Sequence, residues 1–505
     1  MAINFPASPT VGSDYSYQGI KYTYQADGYW AVTTVGTQGV ASPEDLNAGT
    51  DSVKYLTPTS FSGSKYDITI SNFGSASQKD VGTAPEEVPT NANLGTVATK
   101  DLATTDQARD GVIGVVPDAA GVHAAIREYV DTGEGKVTPY GLDWYQSQDI
   151  YIRTGSGEPV IQRGMRRCVL NVDCSVNYYL DPFDSTLKED GTPSILDGTD
   201  GNVMVEIPKF YYKYEYREGS GEIVHSHSIS KLPVDGYEVH PAFVRDGVEV
   251  DYRYFAAYQA SVSGGKMQSI SGVYPTGTKT RAAFRAYAVA VGAGWYQLDF
   301  LLYEAITLLC MIEYGTMNIQ GALNAGRTGL SGGSWTAGGS YIGINGLSNT
   351  LGNRSGGAYY AGSAEDAAAD SSFMSYRGIE NLFGNVWTMV DGINIRDNIP
   401  YINKNPSTYA DNVFSGDYVS AGVTMSTTNG YGRELANSPN GFFPTSVSGG
   451  SSVRGTCDEY YQNTGDRIAL VGGVSNTGAS AGPFFLLAHF TSTRAFGSLG
   501  STLSC

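Results

Sequence analysis

The rhythm of apolar and polar positions changes along the chain. In residues 1–40, Tyr15, Tyr17, Tyr22, Tyr24, Tyr29 and Trp30 fall in two short stretches of period two, the repeat of strands whose side chains alternate between faces. Gly19 and the Asp27-Gly28 pair supply turns, and a small β-meander is predicted. Residues 41–118 exchange large apolar side chains for Thr, Ser, Ala, Asp and Gly. So little apolar surface does not offset the entropy of ordering. The segment reads as a linker, or as one ordered by intertwining with other copies.

Periodicity returns beyond it. Residues 119–130 form a short helix candidate, and residues 201–216 alternate as two strands broken at Pro208. Asp235-Gly236 and Asp246-Gly247 mark turns. Leu298, Leu302, Ile306, Leu309 and Ile312 recur at spacings of three and four, which predicts a core-packing helix over 296–314 with Asp299, Glu304 and Glu313 as polar interruptions. After Gly315 the pattern fades. Residues 326–363 are Gly, Ser, Asn and Thr around Trp335, Tyr341, Tyr359 and Tyr360, and irregular stretches of that length tend to be functional. The expected fold class is α+β, mostly β and multidomain. It comprises a β module (1–40), a linker or oligomerisation segment (41–118), a β-rich intermediate domain opened by a short helix (119–264) and a C-terminal domain (265–505).

Composition narrows the functions. With 50 acidic and 32 basic residues the net charge of the 505-residue chain is −18, which argues against nucleic acid and anionic membrane as partners. The 64 glycines and 36 tyrosines suit loop-rich β structure with polar contact surfaces. Residues 1–17 lack the basic and apolar regions of an export signal, and the longest apolar stretch, Leu298 to Ile312, is too short for a bilayer. The five cysteines, Cys168, Cys174, Cys310, Cys457 and Cys505, are an odd set without a CxxC pair. They suggest neither a disulfide scaffold nor a cysteine-based zinc site. His225-Ser226-His227 puts two imidazoles on one side of a strand; it reads as an exposed polar turn, or as a pair that suits a transition metal such as iron.

Three motifs carry a resemblance. Gly49-Thr-Asp-Ser-Val-Lys-Tyr-Leu-Thr-Pro58 resembles the GTD-x-x-KY-x-TP motif of phage tail-fibre proteins. Arg377 to Trp387, with Gly378, Asn381, Gly384, Asn385 and Trp387, resembles the G-x-x-N-x-x-G-N-V-W signature of the formylglycine-generating-enzyme-like branch of the C-type lectin fold. There the glycines permit tight turns, the Asn side chains hold loop backbone and the Trp anchors the core. Gly472 to Leu487 is similar to the variable region of phage tropism determinants diversified by retroelements, with Ser475 where a Trp is frequent and Thr502 where an Arg is expected.

The resemblance implies a scaffold of Gly472, Gly473, Gly478, Gly482, Phe484 and Leu486, and exchangeable display positions Val474, Ser475, Thr477, Ser480, Phe485, Leu487, His489, Phe490, Arg494, Phe496 and Ser498. The alternation from Phe484 to Phe490 gives a strand one packed and one displayed face. It also implies a virion tail-fibre adhesin that is homotrimeric, joined to other tail proteins by its N-terminus, and bound to a host bacterial surface receptor, protein or glycan. No cofactor, metal or catalytic residue is expected. Neither the calcium-lectin triplets Glu-Pro-Asn and Gln-Pro-Asp nor a close cysteine pair occurs in the C-terminal domain. The alternatives are a formylglycine-generating-type enzyme, a surface-polysaccharide hydrolase, or a bacterial surface protein of the same diversified family.

Overall fold

In the computed structural model the chain is mostly β, with several sheets. The structure describes residues 10–17, 20–24, 30–35, four two-residue strands between 81 and 117, and 138–505 apart from 156–158, 220, 360–371 and 437–439. The chain divides into two units, Met1–Tyr129 and Val130–Cys505. In the first, Asp14–Tyr17, Ile20–Tyr24 and Trp30–Val35 form the predicted antiparallel meander. Its turn residues Gly19, Asp27 and Gly28, the Gly49–Pro58 motif and the 119–130 helix candidate lie outside the described residues. Within 41–118 only the short parallel pairs Val81–Gly82 with Val88–Pro89 and Leu102–Ala103 with Val116–Pro117 are described.

The second unit is built around the predicted helix, which spans Phe300–Tyr314. Asp299 caps its start by accepting a hydrogen bond from the Leu302 amide at 2.9 Å, and Gly315 ends it in the left-handed conformation (φ 69°). The helix is buried nearly all round rather than along one stripe. The interruptions each have a use. Asp299 also binds Arg253 (2.7 Å) and Arg245 (2.8 Å); burial alone would raise its carboxyl, but the two guanidinium groups hold it below the usual carboxylate range. Glu313 pairs with Arg377, and Glu304 faces the interior.

The three largest sheets contribute side chains to the apolar cluster that holds this helix. A five-stranded antiparallel sheet runs Glu238–Val239, Tyr211–Gly219, Glu222–Ser230, Tyr140–Tyr145, Ile150–Gly155. A six-stranded sheet runs Val176–Tyr179, Arg166–Leu170, Asn202–Pro208, Tyr252–Ala256, Leu503–Ser504, Tyr296–Gln297. Asn202–Pro208 and Tyr211–Gly219 are the two strands separated near Pro208, and Asp246-Gly247 is the turn of the hairpin Val244–Arg245 with Val248–Glu249. The third sheet, described with the site below, has the order Gly430–Tyr431, Glu459–Gln462, Leu486–Ala488, Leu470–Val471, Trp387–Met389, Leu499–Ser501.

Side chains alternate between two cores. Val203, Val205 and Ile207 join the helix residues in one apolar cluster. Met204 joins Phe284, Ala288 and Trp295 in the other, beside the helix Arg281–Val289. The boundary expected near residue 264 is corrected: strands from 166–256 and from 296–504 share one sheet, so 138–505 folds together.

A second correction concerns the cysteines. Cys174 and Cys505 form a disulfide across 331 residues. Backbone pairing makes it, since the Cys505 and Tyr254 peptide groups exchange hydrogen bonds at 2.9 and 3.0 Å and lay the C-terminus beside the turn that holds Cys174. Spacing along the sequence carries no trace of such a pairing.

Candidate binding site

The third sheet combines parallel and antiparallel pairs. Glu459–Gln462 runs parallel to Leu486–Ala488 with Tyr461 opposite Leu487. Leu470–Val471 lies antiparallel between Leu486–Ala488 and Trp387–Met389, with Leu470 opposite both Leu487 and Met389. Paired residues share a face and neighbours two apart return to it. Tyr461, Leu487, Leu470 and Met389 therefore define one face, to which Glu459, Phe485, His489 and Trp387 also belong. The opposite face, Phe484, Leu486, Ala488, Tyr460 and Val471, packs into the cluster around the long helix. Of the stretch from Phe484 to Phe490, only Leu486–Ala488 is strand, and its residues are buried on both faces.

Its outer face is covered more fully than display requires. Phe485 and Leu487 are only 4% and 5% exposed and belong to the second apolar cluster. They nevertheless line a cleft of about 440 Å³ with Trp387, Glu459, Tyr461, Asn476, Thr477, Ser480, His489 and Phe490. Six expected display residues thus meet at one place: Thr477, Ser480, Phe485, Leu487, His489 and Phe490. Phe496 and Arg494 stand beside it. Phe490 touches the rings of Trp387, His489 and Phe496, and the Arg494 guanidinium lies 5.6 Å from the Phe496 ring centre. Val474, Ser475 and Ser498, also expected on display, are buried. The Ser475 amide and carbonyl bond Asn385 and Leu330 (3.2 and 2.7 Å), and the Ser498 carbonyl takes the Trp387 amide at 3.0 Å.

The loop over the cleft is fixed from below. Thr477 Oγ1 accepts from the Val474 amide at 2.8 Å, and the Gly478 amide donates to the Thr328 carbonyl at 2.7 Å. Buried Asp458 accepts from the Phe484 amide at 2.7 Å, and burial pushes its carboxyl well above the usual range. Gly482 must lack a side chain, since a Cβ there would stand 2.2 Å from Asp458 Oδ1. The Tyr303 hydroxyl on the long helix bonds the Pro483 carbonyl at 2.9 Å. In the Arg377–Trp387 segment, Asn385 is buried, accepts from the Gly343 amide (2.7 Å) and donates to Gln259 Oε1 (2.8 Å). Gly384 sits at φ 81° where a Cβ would meet the Arg327 carbonyl. Asn381 departs from expectation: its side-chain amide is buried with no hydrogen-bond partner among the described residues. Gly472 and Gly473 take positive φ, 86° and 75°.

Trp387 also differs from its expected part as a core anchor. It is half-buried and forms cleft wall. Sequence reasoning missed Glu459, Tyr461 and Asn476 as well. The alternation of Glu459-Tyr460-Tyr461-Gln462 marks a strand, but its parallel partner lies more than twenty residues on and is set by the fold.

The histidine pair has a different setting. His225 and His227 lie within the strand Glu222–Ser230 and are buried, so the exposed turn is not what the fold builds. His225 Nδ1 is 2.7 Å from the Tyr214 hydroxyl and Nε2 is 2.9 Å from Gln146 Oε1. With His240, Glu304, Tyr212 and Phe442 the pair lines a narrow pocket of about 20 Å³, room for roughly one water. Among the described residues no three His, Cys, Asp or Glu side chains are grouped to hold a metal ion. Burial lowers His225 to about 4 and His227 and His240 to about 3, and raises Glu304 to about 8.

Compared with protein-family models and with curated proteins, the chain matches none.

Proposed function

We propose that the protein is a phage tail-fibre adhesin. Its C-terminal region, of C-type lectin fold, binds a host bacterial surface receptor in the cleft between Trp387, Tyr461, Leu487 and Phe490, and no bond is made or broken. The observation that carries the reading is the convergence of Thr477, Ser480, Phe485, Leu487, His489 and Phe490 on that cleft. These positions were expected to be exchangeable from the variable-region resemblance alone. Buried aromatic anchors under a polar rim are what binding hot spots use, and the loop hydrogen bonds keep the scaffold rigid while side chains vary. In this reading the N-terminal meander joins other tail proteins, three copies associate around the 41–118 segment, and several weak sites on one virion act together.

The chemistry of the cleft favours holding over turnover. Glu459 is the one carboxylate among its lining residues, whereas glycoside hydrolysis uses a pair. Cys168, Cys310 and Cys457 are buried free thiols and Cys505 is bonded to Cys174. Burial pushes the three free thiols up, away from the reactive thiolate that copper and oxygen chemistry needs. Incubation of the purified protein with host envelopes is expected to show saturable binding without released fragments. Release of sugars or peptides would replace the adhesin with an enzyme.

A further inference from the structure

We propose that the ligand of this cleft is an uncharged saccharide, held by stacking on aromatic rings and by hydrogen bonds from the protein's own groups. The inference rests on the reading of the cleft as an attachment site and gives it a ligand class. Charge is the first argument. No Lys or Arg lines the cleft, Glu459 does, and the chain carries a net charge of −18. A phosphate, sulfate, uronic or sialic acid would enter against that carboxylate without a cation to meet it. Arg494 stands over Phe496, outside the lining.

Shape and hydrogen bonding supply the rest. The rings of Trp387, Tyr461, His489 and Phe490 form a connected wall, with Tyr461 and His489 centred 5.8 Å apart and His489 and Phe490 5.2 Å apart. Tyr461 remains 41% exposed. Asn476 and Thr477 add amide and hydroxyl groups at the edge. A pyranose has an apolar C–H face for such rings and a rim of hydroxyls for such edges. The volume of about 440 Å³ lies within the roughly 300–1,000 Å³ of small-ligand sites.

The test uses the full-length protein, a panel of neutral methyl glycosides and N-acetylhexosaminides, and N-acetylneuraminic acid and glucose 6-phosphate as charged probes, read by saturation-transfer NMR. At least one neutral saccharide is expected to bind. Its affinity is expected to fall at least tenfold in Tyr461→Ala and in Trp387→Ala, each of which removes a ring of the wall. Binding of the charged probes alone, or of none, overturns the inference. Bacteria treated with periodate, which cleaves sugar diols, should lose attachment, and protease-treated bacteria should keep it. The reverse result would identify a protein receptor, overturning the saccharide while leaving attachment intact. No attachment to untreated cells would overturn the adhesin itself.

Discussion

The narrow pocket at His227 and the wide cleft at His489 are assembled from the same kinds of side chain: tyrosine, phenylalanine, histidine and one glutamate each. They differ in what covers them. Around His227 the strand Glu222–Ser230, the long helix and Phe442 leave about 20 Å³, so the ionisable groups are held neutral and act on stability. Around His489 the sheet face is only partly covered, about 440 Å³ is free, and the groups at the cleft rim are available to a ligand. Residue type alone therefore does not decide between a core and a site; the packing partner on the exposed side does.

That contrast can be broken at several points. The largest effect is expected from the Cys174–Cys505 disulfide. It closes a loop of 331 residues, for which the chain-entropy account gives roughly 6 kcal/mol. Leu499–Ser501 pairs with Trp387–Met389 and leads into the disulfide-anchored end. Reduction should lower the melting temperature and speed amide exchange in 499–504, on the cleft side, while Glu222–Ser230 stays protected. Equal loss of protection in both regions would contradict the separation.

Next is pH. The three buried histidines titrate at about 3 to 4 in the folded protein against 6.5 unfolded. Below pH 6.5 the unfolded chain binds protons that the fold refuses, so each loses about 1.4 kcal/mol per unit as pH falls. Glu304 titrates at about 8 against 4.5 and works oppositely, its stabilisation fading as pH rises from 4.5 to 8. From these four groups stability should peak near pH 6.5 and fall by about 3 kcal/mol per unit between 6.5 and 4.5. Denaturant titrations across pH check this. Glu304→Gln should flatten the alkaline limb and His227→Gln should shallow the acid limb; unchanged limbs would contradict the cavity's role.

The smallest effect concerns the cleft loop. Gly482→Ala sets a methyl against Asp458, at an expected loss of roughly 1–3 kcal/mol, and the loss should shrink when Asp458 is replaced by Ala. The same penalty in both backgrounds would show that the contact is not its cause.

Much of this was readable before any fold was seen. The helix at Phe300–Tyr314, the break at Pro208, the Asp246-Gly247 turn and the strand around Leu487 are local patterns that periodicity and turn chemistry report. What stayed hidden depends on distant partners. Tyr461 and Glu459 enter the cleft only because their strand pairs in parallel with Leu486–Ala488. Cys174 meets Cys505 only through a sheet that joins both ends of the unit. Val474 and Ser475 are buried because the 385 and 330 segments lie against them. His225 and His227 looked exposed because a Ser-flanked pair is polar in composition, whatever strand covers it.

The most direct measurement compares the two regions for attachment. Labelled protein is titrated onto host bacteria as wild type, as the cleft variants Trp387→Ala and Phe490→Ala, and as the cavity variant His227→Gln, each with its melting curve. Cleft variants should attach at least about 30-fold more weakly, near 2 kcal/mol, with little change in melting temperature, and His227→Gln should attach as wild type does. Folded cleft variants that attach with undiminished affinity would contradict the account.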